Sequence, residues 1–272
     1  MSGRPQKDFH EYLAEPSTAY VGHEDYLTAP AIAFLKYAIE AKCTVDLCIR
    51  KFPKQNSRKY TKDSADSLQH LVSAMLPSLM GHFETFQRYL FAGTFDRSVY
   101  LQDFDAEKFF KTLSKDVQVS FDPVRLAAHR HLGVTSVGLL LADSLSGWHN
   151  PNKVNSFFNA FSLQRQLFNS DHCAKLAVLW QLRHSIVHTG GTLTLPDAQK
   201  VPALSKLGDK KVVFEKHFIF EVARKLHPLV KEATEGIGTA FQSKIISGID
   251  VQAQKDIDEF FKVKSSIGAW LR

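Results

Sequence analysis

The chain has little of what marks several large functional classes. It holds only three cysteines, Cys43, Cys48 and Cys173. No two of them stand as C-x-x-C, which argues against a disulfide framework, a zinc ribbon or a thioredoxin-like redox site. No apolar run approaches the roughly 18 residues that a membrane-crossing helix needs. The longest candidate, "VTSVGLLLADSL" from Val134 to Leu145, is short and broken by polar residues. The opening "MSGRPQKDFHEYLAEP" lacks the apolar stretch of a secretory signal. No internal repeat is visible. The expectation is a soluble, cytoplasmic protein with neither a resident metal nor a cofactor.

What is present is ordinary globular material with one bias. Apolar residues make up 44% and charged residues 23%, enough for a substantial core in 272 residues. Phenylalanine is abundant, with 21 copies, many in clusters such as "FETFQRYLF" and "VNSFFNAF". Such clusters read as core-forming faces. The formal charge of +6 suits a polyanionic partner without identifying one, because the cations read as spread along the chain.

Apolar residues recur mostly at helical spacing, so the chain reads as mainly α, with a helical bundle as its architecture. Residues 1 to 28 form an irregular arm. Pro30 opens a helix that ends near Phe52-Pro53. The segment "KQNSRKYTKDSAD" is a charged linker. A longer helix begins near Asp66, is kinked or split by Pro77, and stops at Gly93. Shorter helices follow Asp105 and Asp122-Pro123. "TSVGLLLADSLSGW" is buried and helical, and Asn150 caps the helix that Pro151 opens. Asp171 caps the next helix and Gly190-Gly191 end it. A small hairpin or extended excursion lies around Gly208-Asp209. Helix returns in "FIFEVARKLHPLVKEATEGIGTAFQSKI".

The helix ended by the two glycines is the unusual one. It carries "LWQLRHSIVH", in which Arg183, His184 and His188 stand among Leu, Trp, Ile and Val. On a wheel of about 100° per residue, Arg183 lies about 60° from Trp180, inside the arc that Val187 and Leu176 also occupy. His184 and His188, one turn apart, lie at the edge of that arc. An arginine facing a dry core is costly unless an anion or water meets it. Three readings stay open. In one, Arg183 snorkels to solvent or pairs with an internal carboxylate such as Glu84, the histidines being ordinary polar residues at a helix end. The histidines have the i, i+4 spacing of a metal pair, although there is no H-E-x-x-H and no third ligand in view. Or a guanidinium and an imidazole together serve a phosphodiester.

"RHSIVH" resembles the Arg-polar-x-x-x-His motif of HEPN domains (higher eukaryote and prokaryote nucleotide-binding). Arg183 matches the arginine, His184 the polar residue after it and His188 the terminal histidine. The setting is similar too: the motif ends a helix, precedes "TGG" and is followed by the extended "GDKKVVFEKHF". "SLMGHFETFQRYLF" resembles the first bundle helix of that family. "GWHNPNKVNSFFNAF" resembles the segment before the motif helix in its larger bacterial members. The resemblance covers about residues 64–235, leaving residues 1–63 as an arm with an accessory helix and 236–272 as a helical extension.

The resemblance implies an HEPN-like antiparallel helical bundle with extra helices and a short hairpin insertion after the motif helix. It implies a homodimer with the motif helices facing each other across a two-fold axis. It further implies an RNA-cleaving enzyme of prokaryotic antiviral or toxin–antitoxin systems, restrained by an antitoxin or another defence partner. In that scheme His188 is the general acid or base, Arg183 stabilises the phosphorane, and His184 orients or relays. Histidine at position 184 departs from the asparagine or aspartate frequent there. Some members of the family bind nucleotide, RNA or protein without cleaving. With about 140° between them on the helix, Arg183 and His188 are not expected to need the same phosphate.

Overall fold

The structure, a computed structural model, describes residues 8–15, 21–116, 136–263, 266–269 and 271. It is mainly helical. The helix expected after Asp122-Pro123 lies outside the described residues.

Short α1 (His23–Thr28) leads into α2 (Pro30–Lys51), which proline opens at its first position. Ala31, Phe34, Leu35, Ala38, Ala41 and Val45 are buried at helical spacing along α2. It ends at Phe52, whose extended backbone (ψ 139°) is what the following Pro53 favours. The spine of the molecule is α3 (Lys62–Arg97), a single helix of 36 residues, about 54 Å long at 1.5 Å per residue. It starts four residues before the expected Asp66, because the Thr61 side chain caps the Ser64 N–H.

Two features of α3 bear on expectations. Pro77 lies inside it without splitting it. The flanking Leu76 and Leu79 are fully buried, and that packing outweighs the backbone bond that proline forfeits. Nor does Gly93 stop the helix, which runs on to Arg97. Gly93 is there for close approach: a Cβ at that position would fall 2.2 Å from the Phe260 ring.

The remaining helices are α4 (Ala106–Asp116), α5 (Val137–Ser144), α6 (Pro151–Asn159) and α7 (Ser170–His188). After them come α8 (Leu195–Gln199), α9 (Phe218–Gln242), α10 (Val251–Phe261) and α11 (Ser266–Ala269). Asp105 caps α4 by accepting from Lys108 N–H at 2.9 Å, and Asn150 caps α6 from its position before Pro151. The cap of α7 is Asn169, which accepts from His172 N–H at 2.8 Å, rather than Asp171. Asp171 instead pairs with Lys175 one turn on.

One apolar core runs from Val21 to Leu271. Phenylalanines dominate it. Phe83 on α3 packs its ring against Phe34, Phe86, Phe168 and Trp180, and Phe91 against Trp148, Phe157, Phe158 and Phe161. Each such ring removed from water contributes about 1.5–3 kcal/mol. The N-terminal segment is not wholly an irregular arm. Tyr26 of α1 is buried, and its hydroxyl meets His82 Nδ1 of α3 at 2.8 Å.

The insertion after α7 differs from a simple hairpin. Strand β1 (Thr192–Leu193) pairs antiparallel with β2 (Lys210–Lys211), but α8 and a 3-10 turn (Pro202–Leu207) lie between them. This insertion has a small core of its own, Leu193, Ala198, Val201 and Leu204, into which Ala177, Val178 and Leu182 of α7 pack. Among the described residues, no helix is long and apolar enough to cross a membrane.

Candidate functional site at the end of α7

The last two turns of α7 are clamped between two cores, because Leu182 touches both the main core and that of the insertion. The burial of its faces inverts the simple wheel. Gln181 and Ser185 are buried, whereas apolar Val187 is 47% exposed. The arc shared by Val187 and Arg183 therefore opens to solvent at this end of the helix. That lowers, without removing, the cost of an arginine among apolar neighbours, since Arg183 is itself only half-buried.

The stop is built on the Ser185 carbonyl. It accepts from Thr189 N–H at 3.3 Å, from Gly191 N–H at 2.9 Å and from the Thr189 hydroxyl at 2.9 Å. The bond from Gly191, six residues back along the chain, is the closing bond of a Schellman-type cap. It requires left-handed backbone at Gly190 (φ 61°) and Gly191 (φ 78°), which glycine adopts without strain. Nothing lies within 4 Å of a Cβ built at either glycine, so the flank of His188 is open space.

Arg183, His184 and His188 come together there. A guanidinium nitrogen of Arg183 lies 3.4 Å from His188 Nε2. The angular separation on the wheel is overcome by the length of the arginine side chain. Arginine can only donate, so the contact requires a lone pair on Nε2, which is the neutral imidazole carrying its proton on Nδ1. The rings of His184 and His188 stand 4.9 Å apart, tilted by 42°. Among the described residues no carboxylate is ion-paired with Arg183, and its Nε is buried without a hydrogen-bond partner. Glu84 is not its counter-ion. Glu84 lies 4.0 Å from Arg88, which also holds Asp143.

The structure adds a residue that sequence reasoning missed. Asp197, on α8, is buried and lies 3.9 Å from His184 Nε2. That is too long for a direct hydrogen bond but close enough for charge to be felt. The carboxylate takes a hydrogen bond from Lys200 Nζ at 2.8 Å and one from the Thr194 hydroxyl at 2.9 Å. Those bonds, with the nearby His184, hold its carboxyl below the usual aspartate value. The signal was in the sequence. "TLPD", Thr194 to Asp197, has the T-x-x-D spacing of a helix-capping box, and Asp197 N–H does bond back to the Thr194 hydroxyl at 3.3 Å.

No family model, curated protein or solved structure matches this chain. The chemistry of the site thus rests on its own geometry. It offers one guanidinium that no described carboxylate pairs with, one exposed imidazole with an acceptor nitrogen beside it, and a second imidazole near a carboxylate. Among the described residues, no group of three His, Cys, Asp or Glu side chains is arranged to hold a metal ion.

Proposed function

We propose that the chain is an HEPN-type endoribonuclease, acting without a metal, in prokaryotic antiviral or toxin–antitoxin defence. The observation that carries the reading is the 3.4 Å approach of the Arg183 guanidinium to His188 Nε2, at an open helix end where no described carboxylate claims the arginine. A phosphate drawn to Arg183 would place the adjacent 2′-hydroxyl beside that nitrogen.

In this reading Arg183 turns from His188 to the phosphate, which frees the Nε2 lone pair. His188 then takes the 2′-hydroxyl proton while O2′ bonds to phosphorus and the P–O5′ bond breaks. Arg183 stabilises the charge that gathers on the phosphoryl oxygens. The departing O5′ takes up a proton, from His184 or from water. The products are a 2′,3′-cyclic phosphate and a 5′-hydroxyl. Asp197 lies behind His184, 3.9 Å from its Nε2, close enough for its charge to be felt there. The exposed Val187 on the same face fits the homodimer that the resemblance implies, and a neutralising partner protein belongs to the same reading.

The test is cleavage of total RNA and tRNA by purified protein in EDTA, with the product ends analysed. Wild type is expected to leave cyclic phosphates, and His188→Ala and Arg183→Ala to abolish cleavage with the helical circular-dichroism signal retained. A folded wild type that binds RNA or nucleotide yet cuts nothing would refute the enzyme and leave a non-catalytic binding and dimerisation module. Cleavage that EDTA abolishes would return the histidine pair to the role of metal ligands.

A further inference from the structure

The fold gathers positive charge that the sequence appeared to spread. Six cations and no acid stand between Arg50 and Lys62: Arg50, Lys51, Lys54, Arg58, Lys59 and Lys62. The chain doubles back there in a tight loop, closed by a bridge between Lys54 and Tyr60, with Arg58 in left-handed backbone at φ 62°. All six side chains are exposed. Among the described residues none of them is in an ion pair.

A second cationic segment meets this loop. Lys210 and Lys211 form β2, and Lys216 follows five residues after Lys211. Lys216 Nζ lies 5.6 Å from the centre of the Tyr60 ring and Lys54 Nζ lies 5.2 Å from it. The ring is fixed because the Tyr60 hydroxyl donates to the Ile49 carbonyl at 2.8 Å. Two ammonium groups beside one ring repel each other, and no described carboxylate pairs with either. Next to them is a cleft of about 380 Å³ lined by Tyr60, Leu68, Gln69, Phe214, Lys216 and His217. Its walls are apolar and aromatic, and Gln69 and His217 supply hydrogen-bonding groups. Glu215, on the same rim, is an acceptor for a base amino group and makes a bare phosphate a poorer ligand.

We infer that this surface binds single-stranded RNA, with one base in the cleft against Tyr60 and Phe214 and the neighbouring phosphates on Lys54, Arg58, Lys59 and Lys216. Aromatic platforms flanked by cations are the recurring means of holding single strands without strict sequence preference. The surface connects to the end of α7. Lys211 is the strand partner of Thr192, four residues past His188, and Val212 N–H bonds to the Gly191 carbonyl at 2.7 Å. From Lys211 to Lys216 the chain spans at most about 18 Å. Bound RNA would thus run from the cleft past β2 to Arg183 and His188. The choice of RNA rests on the ribonuclease reading; the anionic, base-bearing character of the ligand does not.

The test is fluorescence anisotropy of a short labelled oligouridylate, in EDTA, on protein carrying His188→Ala so that nothing is cut. The triple change Lys54→Glu, Arg58→Glu, Lys59→Glu is expected to weaken binding at least tenfold and to flatten its dependence on salt. Tyr60→Ala is expected to weaken binding about tenfold and Tyr60→Phe to spare it. Lys108→Glu with Lys111→Glu, on exposed positions of α4, is the control for charge reversal elsewhere on the chain. Binding unaltered by the triple change, an equal loss in the α4 control, or binding of anionic vesicles but not RNA would each overturn the inference. Patch-dependent binding by a wild-type protein that cleaves no RNA would sustain it and remove the ribonuclease reading instead. Cleavage and binding that both ignore the patch would do the reverse.

Discussion

Replacing Asp197 by asparagine keeps the shape of the side chain and removes its charge. Three contacts bear on the cost. The pair with Lys200 counts for little, since that lysine is 63% exposed and its charge is well screened. The bond from the Thr194 hydroxyl survives in part, because asparagine keeps an acceptor oxygen. The His184 imidazole, 3.9 Å away and 45% exposed, is screened as Lys200 is. What is lost is the charge-assisted share of the Thr194 bond, about 1 kcal/mol. The pH dependence follows from the direction of the shift. Hydrogen bonds from Lys200 and Thr194 put the folded carboxyl below its ordinary value of 3.8. Its contribution is therefore complete above that ordinary value and is lost as pH falls through the folded one. Urea unfolding, followed by tryptophan fluorescence, should show a stability gap between wild type and Asp197→Asn from neutrality down to about pH 4. Below that the gap should close, as wild type takes up the proton. A gap that persists in acid, or none at neutrality, would refute a charged role for Asp197.

Other expectations are simpler to test. Gly138→Ala should destabilise the protein by about 1–3 kcal/mol in thermal or urea unfolding. The new Cβ would stand 2.1 Å from the Ala92 carbonyl oxygen, which is helix backbone and cannot turn aside as a side chain can. Gly191→Ala should cost about 1–2 kcal/mol, all of it left-handed backbone strain, since no atom lies near the new methyl. Gly191→Asn should recover part of that loss in the same thermal melt. Burial holds the His82 imidazole below its ordinary 6.5. Its contribution is full above about pH 6.5 and declines as pH falls through the folded value, so His82→Gln should flatten that portion of the stability profile.

The helices were legible where local chemistry and packing agree. Asn150-Pro151 states a helix start in two residues, and Gly190-Gly191 states a stop that no other pair would make as cheaply. Gly93 misled because a glycine that ends a helix and a glycine that admits a neighbouring ring are the same letter. Only the distant Phe260 distinguishes them. Pro77 does not split the helix for a related reason, since the cost of a proline is local and the packing of Leu76 and Leu79 is not. At the site, Arg183, His184 and His188 could be singled out because polar residues interrupt an apolar pattern. The reach of Arg183 to His188 could not, since it depends on a rotamer and on an open flank. The cations from Arg50 to Lys62 read as a charged linker until the loop that Tyr60 closes set Lys54 across one ring from Lys216.

The long α3 spine has a consequence for dissection of the molecule. Phe34, from before residue 64, packs 5.4 Å from Phe83, and Phe260, from after residue 235, fills the notch at Gly93. A fragment trimmed to residues 64–235 would carry the whole motif helix and its insertion, yet it would present two stripped flanks of α3 to water. Proteolysis should accordingly find no smaller stable kernel around Arg183 and His188. Residues before 64 and after 235 thus line the same core that the motif helix packs on.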